Sequence, residues 1–426
     1  MLDIKLIREK PDVVIKNLKY RGDNEKIKWV KDLVKIDEEY RKLLFKVQKM
    51  RHERNAISLE ISKMKKEGKD VSFNVKEMKK LGEKIKSAEK RMEKLQEKIR
   101  FYLMHLPNLL HESVPKGKDE DDNVEIKKWG KIKKFGFEPK SHVDILNDLD
   151  LADIERAGKI SGARFFFLKK ELVLMELALI QFAMDILRKR GFTSIEPPFM
   201  IRRKAYEGVV DLKDFEDVIY KIEGEDLYMI ATAEHPIASM YMNEVIDENL
   251  LPIKFVGISP CFRKEAGSHG KDTKGIFRTH QFNKVEQFVF SRPEESWKEF
   301  DRVVKNAEEI FQKLELPYRL VNVCTGDIGS VAAKKIDLEV WMPAQKKYRE
   351  LVSCSNCTDY QARRLNVRYG IEGEKPKGFV HTINGTGIAT GRAIVAILEN
   401  YQNEDGSITV PHALRQYMGG IKKIGK

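Results

Sequence analysis

The sequence predicts an α+β protein with two parts, a basic helical hairpin and a larger domain that mixes strands and helices. In two runs, over residues 33–64 and 78–102, apolar residues recur at alternating steps of three and four, the 3.5-residue repeat of supercoiled helices. Farther along, residues 253–258 and 282–290 are apolar or alternating, and the stretch between them is rich in Gly, Lys and Asp. This second pattern is typical of two strands joined by a long loop.

Length and composition narrow the class of protein. The chain has 426 residues, enough for two domains, and its hydrophobic content of 42% suits a globular protein. The N-terminus, MLDIKLIREKPD, lacks the apolar core of a secretory signal, and no window approaches the roughly 18 uncharged residues of a membrane span. Four Cys in a chain of this length do not make a disulfide framework. We therefore expect a cytoplasmic protein.

The formal net charge of +13 is concentrated in the first part of the chain. Residues 1–100 hold 30 Lys and Arg against 18 Asp and Glu, an excess of 12 positive charges. Such an excess is typical of a segment that docks on a polyanion, and equally of a solvated helix surface. The charge alone leaves both interpretations open.

The two apolar runs predict an antiparallel pair of helices. Residues 65–70, Lys-Lys-Glu-Gly-Lys-Asp, would form the turn, and each helix would be roughly 45–50 Å long at 1.5 Å per residue. Helices of similar length joined by a short turn most simply pair with each other, although a dimerisation coiled coil gives the same pattern. Residues 1–28 predict a short helical cap at the base of this arm, and residues 106–143, with three prolines, predict a linker.

The larger domain contains a strand–loop–strand hairpin with an unusual polar face. Arg263 and Glu265, two residues apart at the end of the first strand, are expected to leave the same face of the sheet. On the returning strand Phe282, Lys284 and Glu286 also share a face. This mixture suits a ligand that is anionic at one end, aromatic in the middle and cationic at the other. An adenylate that carries an amino acid fits this description.

Other stretches carry weaker signals. Residues 163–190 predict one long helix that ends at Gly191, and residues 192–200 predict a strand with Pro near its end. The Thr-Ala-Glu triplet at 232–234 is also typical of a plain helix N-terminus. Residues 384–392 predict a glycine-rich turn before a helix, without the wording of a Walker A or dinucleotide motif. Cys354 and Cys357 have the spacing of half a zinc site, but a second pair is missing, so buried thiols are the better interpretation.

Together these stretches resemble the class II aminoacyl-tRNA synthetases. Phe262-Arg263-x-Glu265, followed by Arg278-x-x-x-Phe282, resembles motif 2 (about 255–290), and the wording THQFNKVE at 279–286 is similar to seryl-tRNA synthetases in particular. Residues at about 175–200 resemble motif 1, and those at about 384–400 resemble motif 3. The Thr-Ala-Glu triplet matches the one that borders the serine site in that family.

The resemblance implies a division of the chain into two domains. Residues 1–110 would bind tRNA through the helical hairpin at about 30–103, which in the family grips the long variable arm of the tRNA held by the other subunit. Residues 111–426 would form the catalytic domain, a mainly antiparallel sheet flanked by helices. Motif 1 builds the homodimer interface in the family, so a homodimer is expected.

The resemblance also implies roles for individual residues. Arg263 and Arg392 would be catalytic, and Glu350 and Ser353 would hold Mg²⁺ against the ATP phosphates. The ATP-binding residues would be Arg263, Lys264, Glu265, Arg278, Thr279, Phe282, Glu350, Leu351, Val352, Ser353 and Arg392. The serine-binding residues would be Thr232, Ala233, Glu234, Arg263, Glu286, Asn384 and Thr386.

The expected chemistry within these sets is specific. Arg263 would grip the α-phosphate and the serine carboxylate, because a planar guanidinium suits paired oxygens. Glu265 would accept the adenine amino group, Phe282 would stack on adenine, and Arg278 would meet the outer phosphates. Glu286 would pair with the serine ammonium. In motif 3, Arg392 would cover the other face of adenine and touch the γ-phosphate, and Thr386 would contact the serine hydroxyl.

The function expected from the resemblance is ligation of serine to tRNA, with ATP and Mg²⁺. Serine would be activated to seryl-adenylate with release of pyrophosphate, and then transferred to the 3′ end of tRNA(Ser), with tRNA(Sec) as a further possible substrate. The alternative is a non-catalytic paralogue that binds RNA or an amino acid. Such a protein would be expected to lose the charged adenylate-site residues, and all of them are present here. A class II enzyme for another amino acid is opposed by the Thr-Ala-Glu triplet and the arm.

Overall fold

The computed structural model describes residues 1–211, 215–265, 272 and 274–425, and it consists of two compact units, Met1–Leu106 and Pro107–Lys426. The first unit is entirely helical. It contains α1 (Ile4–Glu9), α2 (Pro11–Arg21), α3 (Glu25–Lys66) and α4 (Ser72–His105).

Helices α3 and α4 form the predicted antiparallel hairpin. Val47 and Met50 of α3 pack against Ile85 of α4 along the apolar seam. An ion pair between Arg51 and Glu89, with 2.5 Å between Nη2 and Oε1, crosses the seam. At 42 residues α3 is about 63 Å long, more than the predicted 45–50 Å. The estimate was too short because the helix begins at Glu25, several residues before its first seam position.

The second unit is built on one large sheet. Its helices are α5 (His142–Asp148), α6 (Ile154–Ser161), α7 (Glu171–Lys189), α8 (Arg203–Tyr206), α9 (Phe215–Val218), α10 (Glu234–Ser239), α11 (Ser296–Lys313), α12 (Tyr360–Leu365), α13 (Thr390–Asn400) and α14 (His412–Arg415). Its strands are β1 (Val124–Trp129), β2 (Ala152–Asp153), β3 (Phe167–Leu168), β4 (Thr193–Ile195), β5 (Met200–Ile201), β6 (Tyr228–Met229), β7 (Val245–Asp247), β8 (Ile253–Phe262), β9 (Gln281–Ser291), β10 (Tyr318–Asn322), β11 (Lys334–Met342), β12 (Lys347–Thr358), β13 (Arg368–Gly370), β14 (Gly378–Phe379), β15 (His381–Ala389), β16 (Ile408–Thr409) and β17 (Lys423–Ile424).

Among the described residues the main sheet has eight strands in the order β1-β10-β11-β12-β15-β9-β8-β4. Only β4, beside β8, pairs in parallel; the other neighbours are antiparallel. One face of the sheet is covered by α7, α11 and α13, whose apolar residues form the main core with residues such as Val285 and Val289 of β9. Because side chains alternate along a strand, Lys284 and Glu286 point away from this core, to the opposite face.

The predicted linker and the predicted long helix both need correction. Residues 124–129 of the linker form edge strand β1, a short and exposed strand whose pairing is irregular at Ile126. The helix predicted over residues 163–190 begins only at Glu171. Arg164 and Lys170 have left-handed backbone angles, φ 62° and 52°, and Phe167 lies in strand β3, so a helix cannot continue through this stretch.

The glycine-rich turn predicted over residues 384–392 is wrong as well. Residues 381–389 are strand β15, and helix α13 begins directly after it. A Cβ on Gly385 would lie 2.3 Å from Cγ1 of Val303, and one on Gly387 would lie 3.1 Å from Cδ1 of Leu187. These two glycines therefore allow helices α11 and α7 to pack closely on the sheet, rather than allowing a ligand to approach. Within the described part of the chain, no helix combines the length and apolar character that crossing a bilayer requires.

Candidate active site

A cavity of about 320 Å³ lies on the face of the sheet opposite the main core, beside a second apolar cluster that includes Phe288 and Phe290. Strands β9, β11, β12 and β15 contribute side chains to it, as do the segment that follows β8 and the starts of α10 and α13. The predicted site residues that line it are Thr232, Glu234, Arg263, Glu265, Arg278, Thr279, Phe282, Glu286, Glu350, Leu351, Ser353, Asn384, Thr386 and Arg392.

Three predicted site residues do not line this cavity. Val352 is buried in the main core, because it faces the opposite side of β12 from Ser353. Ala233 is buried in a second apolar cluster. Lys264 is also absent from the lining; its backbone N–H donates to the carbonyl of Val218 at 2.9 Å.

The approach of Arg263 and Glu265 to the cavity does not have the predicted origin. Strand β8 ends at Phe262, so the two residues do not share a face of the sheet as expected. Glu265 instead has a left-handed φ of 50°, which turns the chain after the strand. Arg278 Nη1 then donates to Glu265 Oε2 at 3.0 Å, and this ion pair lies at the cavity wall. The adjacent predicted loop, residues 266–275, lies largely outside the described residues.

One end of the cavity is cationic and aromatic. The guanidinium of Arg263 lies 5.3 Å from the ring centre of Phe282, and its Nε donates to the carbonyl of Ala231 at 3.3 Å. Arg392 lies 5.2 Å from the ring of Phe277 and donates through Nη1 to the backbone carbonyl of Glu350 at 2.9 Å. With Arg278, these arginines place three positive charges around one space. Such an arrangement is suited to a polyphosphate.

The other end holds two carboxylates. Glu286 is buried with 1% exposure and forms an ion pair with Lys284, and Thr232 Oγ1 donates to its Oε2 at 3.5 Å. Burial, and then repulsion by Glu286, raise the pKa of Glu234 to about 7. Gln361 donates to Glu234 Oε1 at 2.8 Å and opposes this shift. The pair is suited to an ammonium group, which would relieve the repulsion.

A β-bulge brings Glu350 and Ser353 together. Two residues three apart normally face opposite sides of a strand. Here Leu338 pairs with Val352 while Glu339 pairs with Glu350, so β12 carries one extra residue at this point. The bulge rotates the strand, and both Glu350 and Ser353 line the cavity. Two side-chain oxygens beside these arginines have the chemistry that suits Mg²⁺, a hard cation that takes one or two protein ligands.

The sequence reasoning assigned no role to several residues of the cavity. Lys284 lines it on the same strand face as Phe282 and Glu286, so the period-two pattern of β9 contained the signal. Lys335 and Ser355 also line it, and they face each other in the register of β11 and β12. Only knowledge of that register could have found them.

The cysteines are not arranged as a metal site. Cys261, Cys324, Cys354 and Cys357 are free and buried. Burial raises the pKa of Cys354 and of Cys357 well above the ordinary value, which disfavours the thiolate that zinc requires. The part of the chain that the structure describes contains no cluster of three His, Cys, Asp or Glu residues that could hold a metal ion.

Comparison with known proteins identifies the class first. Residues 216–401 match the family described as tRNA synthetase class II core domain (G, H, P, S and T). With the antiparallel sheet and its arginine-lined cavity, this makes the second unit the catalytic core of a class II aminoacyl-tRNA synthetase. Residues 1–110 match the seryl-tRNA synthetase N-terminal domain.

Full-length relatives specify the family. The serine–tRNA ligase of Pyrococcus abyssi is 55% identical over 98% of this chain and 96% of its own. The crystal structure of seryl-tRNA synthetase from Pyrococcus horikoshii complexed with ATP aligns with a TM-score of 0.94 at 53% identity, covering 100% of this chain and 99% of the other. The structure of the cytoplasmic serine–tRNA ligase of Naegleria fowleri in complex with AMP aligns with a TM-score of 0.89 at 38% identity. The alignment covers 100% of this chain and 98% of the other. The chain therefore belongs to the seryl-tRNA synthetase family.

These matches confirm three predictions from the sequence. The family is the expected one, the fold is α+β with a helical arm and an antiparallel-dominated sheet, and the enzyme is a serine-specific aminoacyl-tRNA ligase.

Proposed function

We propose that the 320 Å³ cavity binds ATP and serine side by side and joins them as seryl-adenylate. The observation that carries the proposal is the polarity of the cavity, with Arg263, Arg278 and Arg392 at one end and Glu234 and Glu286 at the other. A bound adenylate places its phosphate between these two ends. Its ammonium then meets the carboxylates, and its phosphate meets the guanidinium groups.

The phosphate end acts by electrostatic positioning. Arg263 belongs to the cationic end but is close enough to Glu234 to lower the pKa of that carboxyl. Its planar fork can therefore hold the α-phosphate and the serine carboxylate in one geometry. Arg278 and Arg392 hold the outer phosphates and neutralise the charge that develops on pyrophosphate. Glu265 forms an ion pair with Arg278, and when ATP is bound it also accepts a hydrogen bond from the adenine amino group. Phe282 stacks on adenine.

The serine end recognises both the ammonium and the hydroxyl. Glu286 binds the ammonium, and the adjacent Lys284 shifts its ion pair when serine enters. Glu234, Asn384 and Thr386 surround the hydroxyl. A site built to bond a hydroxyl rejects alanine strongly, because alanine would leave buried polar groups unpaired. Rejection of threonine depends on steric fit instead.

Glu350 and Ser353 are the residues that would hold Mg²⁺. Their fit rests on their oxygen donors, on the bulge that turns both towards the cavity, and on their place beside Arg392. When bound there, the ion supplies further neutralisation of phosphate charge. Glu350 Oε1 lies 3.4 Å from Arg392 Nη1, so the carboxylate is already held close to the phosphate end.

The reaction has two steps. A carboxylate oxygen of serine attacks the α-phosphorus of ATP, the bond to the bridging oxygen breaks, and pyrophosphate leaves. A ribose hydroxyl of the terminal tRNA nucleotide then attacks the seryl carbonyl, and AMP leaves. No covalent enzyme nucleophile is required. The basic hairpin of α3 and α4 holds the tRNA by contacts with the sugar-phosphate backbone of the RNA. A second candidate substrate is tRNA(Sec).

We also propose that the enzyme is a homodimer through α7. On this helix Val173, Leu174 and Leu177 are 41%, 43% and 60% exposed, and they lie together on one face. Apolar residues clustered on one face of a helix are typical of an interface. A symmetric contact of this helix with its copy in a second chain would cover them.

ATP–pyrophosphate exchange, run with each of the twenty amino acids, tests the proposal. Exchange with serine alone, abolished by Arg263→Ala, is the expected result. Exchange that depends on another amino acid would overturn the serine assignment. A fully active Arg263→Ala enzyme would overturn the assigned geometry.

A further inference from the structure

Gln361 is a buried glutamine that lies behind the serine end of the cavity without lining it. It belongs to helix α12 and has 0% exposure. Its Nε2 donates to Glu234 Oε1 at 2.8 Å and to the carbonyl of Val209 at 3.3 Å. Its Oε1 accepts from Thr382 Oγ1 at 2.6 Å. The amide therefore uses both its donor and acceptor sides inside the protein.

This network permits one orientation of the amide. If nitrogen and oxygen exchanged places, Oε1 of Gln361 would face two acceptors, the Glu234 carboxylate and the Val209 carbonyl. Thr382, also with 0% exposure, donates to the amide oxygen, but a hydroxyl can donate or accept, so the orientation is set by the two acceptors that face Nε2. The donor of Gln361 is thus held on Glu234 Oε1, which leaves the other oxygen of that carboxylate for a ligand in the cavity.

We infer that Gln361 is a positioning residue for serine, which fixes the orientation of the Glu234 carboxylate through the Thr382–Gln361–Glu234 chain of hydrogen bonds. The inference rests on the proposed serine-binding role of Glu234. Its physical basis is that a carboxylate beside Glu286 would otherwise rotate or take up a proton, and a charge-assisted hydrogen bond opposes both. The direction of the effect agrees with the pKa of Glu234, which the Gln361 hydrogen bond lowers against burial and repulsion.

Kinetics of ATP–pyrophosphate exchange with the full-length enzyme test the inference. Gln361→Met keeps the volume and removes the donor. We expect it to raise the KM for serine about tenfold to a hundredfold, the effect of a hydrogen bond to a charged group, and to leave the KM for ATP within about twofold. Gln361→Glu, of the same shape, sets a second carboxylate beside Glu234 and should raise the serine KM at least as far.

Gln287 supplies a matched control. It is also a glutamine with 0% exposure, and it donates to the carbonyl of Val303 and accepts from Asn306 on the helix-covered face of the sheet. Gln287→Met should lower thermal stability without a selective change in the serine KM. If Gln361→Met does not fold, Thr382→Val replaces it in the test. Because the Gln361 amide is then held less firmly, we expect the KM for serine to rise about threefold and the KM for ATP to stay unchanged.

Glu234→Gln separates this inference from the proposal beneath it. If Glu234→Gln raises the serine KM while the Gln361 variants leave it unchanged, or raise the KM values for serine and ATP equally, Gln361 is only structural and the inference is wrong. If Glu234→Gln itself leaves the serine KM unchanged, the assignment of Glu234 fails, and the inference fails with it.

Discussion

Glu234 gives the fold a pH dependence that can be worked out from its surroundings. Burial and the Glu286 carboxylate raise its pKa from 4.5 to about 7. A group that binds its proton more tightly in the folded state stabilises the fold while it is protonated. This contribution is complete below about pH 4.5 and is lost as the pH rises through about 7. Glutamine at this position stays neutral at every pH, so the Glu234→Gln variant should not lose this stability as the pH rises.

The magnitude follows from the size of the shift. A change of about 2.5 pKa units corresponds to about 3 kcal/mol at 1.36 kcal/mol per unit, an upper value because solvent in the cavity screens part of it. For a folded domain as large as the second unit of this protein, the Tm changes by about 2 °C for each kcal/mol of stability. We therefore expect the Tm of Glu234→Gln, relative to wild type, to rise by about 5–6 °C between pH 5 and pH 8.

Differential scanning calorimetry at pH 5, 6, 7 and 8, without serine or ATP, measures this difference. Glu223→Gln, at an exposed turn, is the control, and its Tm difference from wild type should stay flat with pH. A flat difference for Glu234→Gln would show that Glu234 titrates normally. The account of two opposed carboxylates at the serine end would then be wrong.

Three further predictions concern packing, assembly and metal binding. Gly385→Ala should lower the free energy of unfolding by about 1–3 kcal/mol, because its Cβ would lie 2.3 Å from Val303. In the control Gly158→Ala, the added Cβ meets nothing within 4 Å and should not destabilise the fold. Equal Tm values for the two variants would contradict this. Leu177→Glu should halve the mass measured by light scattering, and a dimer that persists would exclude the α7 interface. Glu350→Gln should raise the Mg²⁺ concentration needed for half-maximal exchange, and an unchanged Mg²⁺ dependence would remove Glu350 from the metal site.

The sequence predicted the parts of the fold in which local pattern and environment agree. The seam of α3 and α4 is a regular repeat, and the β8–β9 hairpin has apolar strands around a polar loop, so both were found. Strand β1 was missed because it is short, exposed and mostly charged, and a register irregularity at Ile126 interrupts its alternation. Gly385 and Gly387 were interpreted as a turn, although their small size serves the contact with two helices that lie far away in sequence.

Most of the residues that the resemblance named line one cavity, whereas spacing alone misplaced some of them. Spacing put Arg263 and Glu265 on one strand face, whereas the chain has already left the strand there. Glu350 and Ser353 both line the cavity only because of a bulge in β12, and a bulge cannot be predicted from the alternation of residues along a strand. Lys335 enters the site through pairing with a neighbouring strand. Such contacts depend on register, which is set by the whole sheet.

We propose that one cavity holds seryl-adenylate with its phosphate at the arginines and its serine at the carboxylates. A crystal structure with a non-hydrolysable seryl-adenylate analogue would show how the intermediate is oriented. We expect adenine stacked on Phe282, the phosphate mimic bound by Arg263, and the ammonium within hydrogen-bonding distance of Glu286. An analogue bound in the reverse direction, or outside this cavity, would contradict the account.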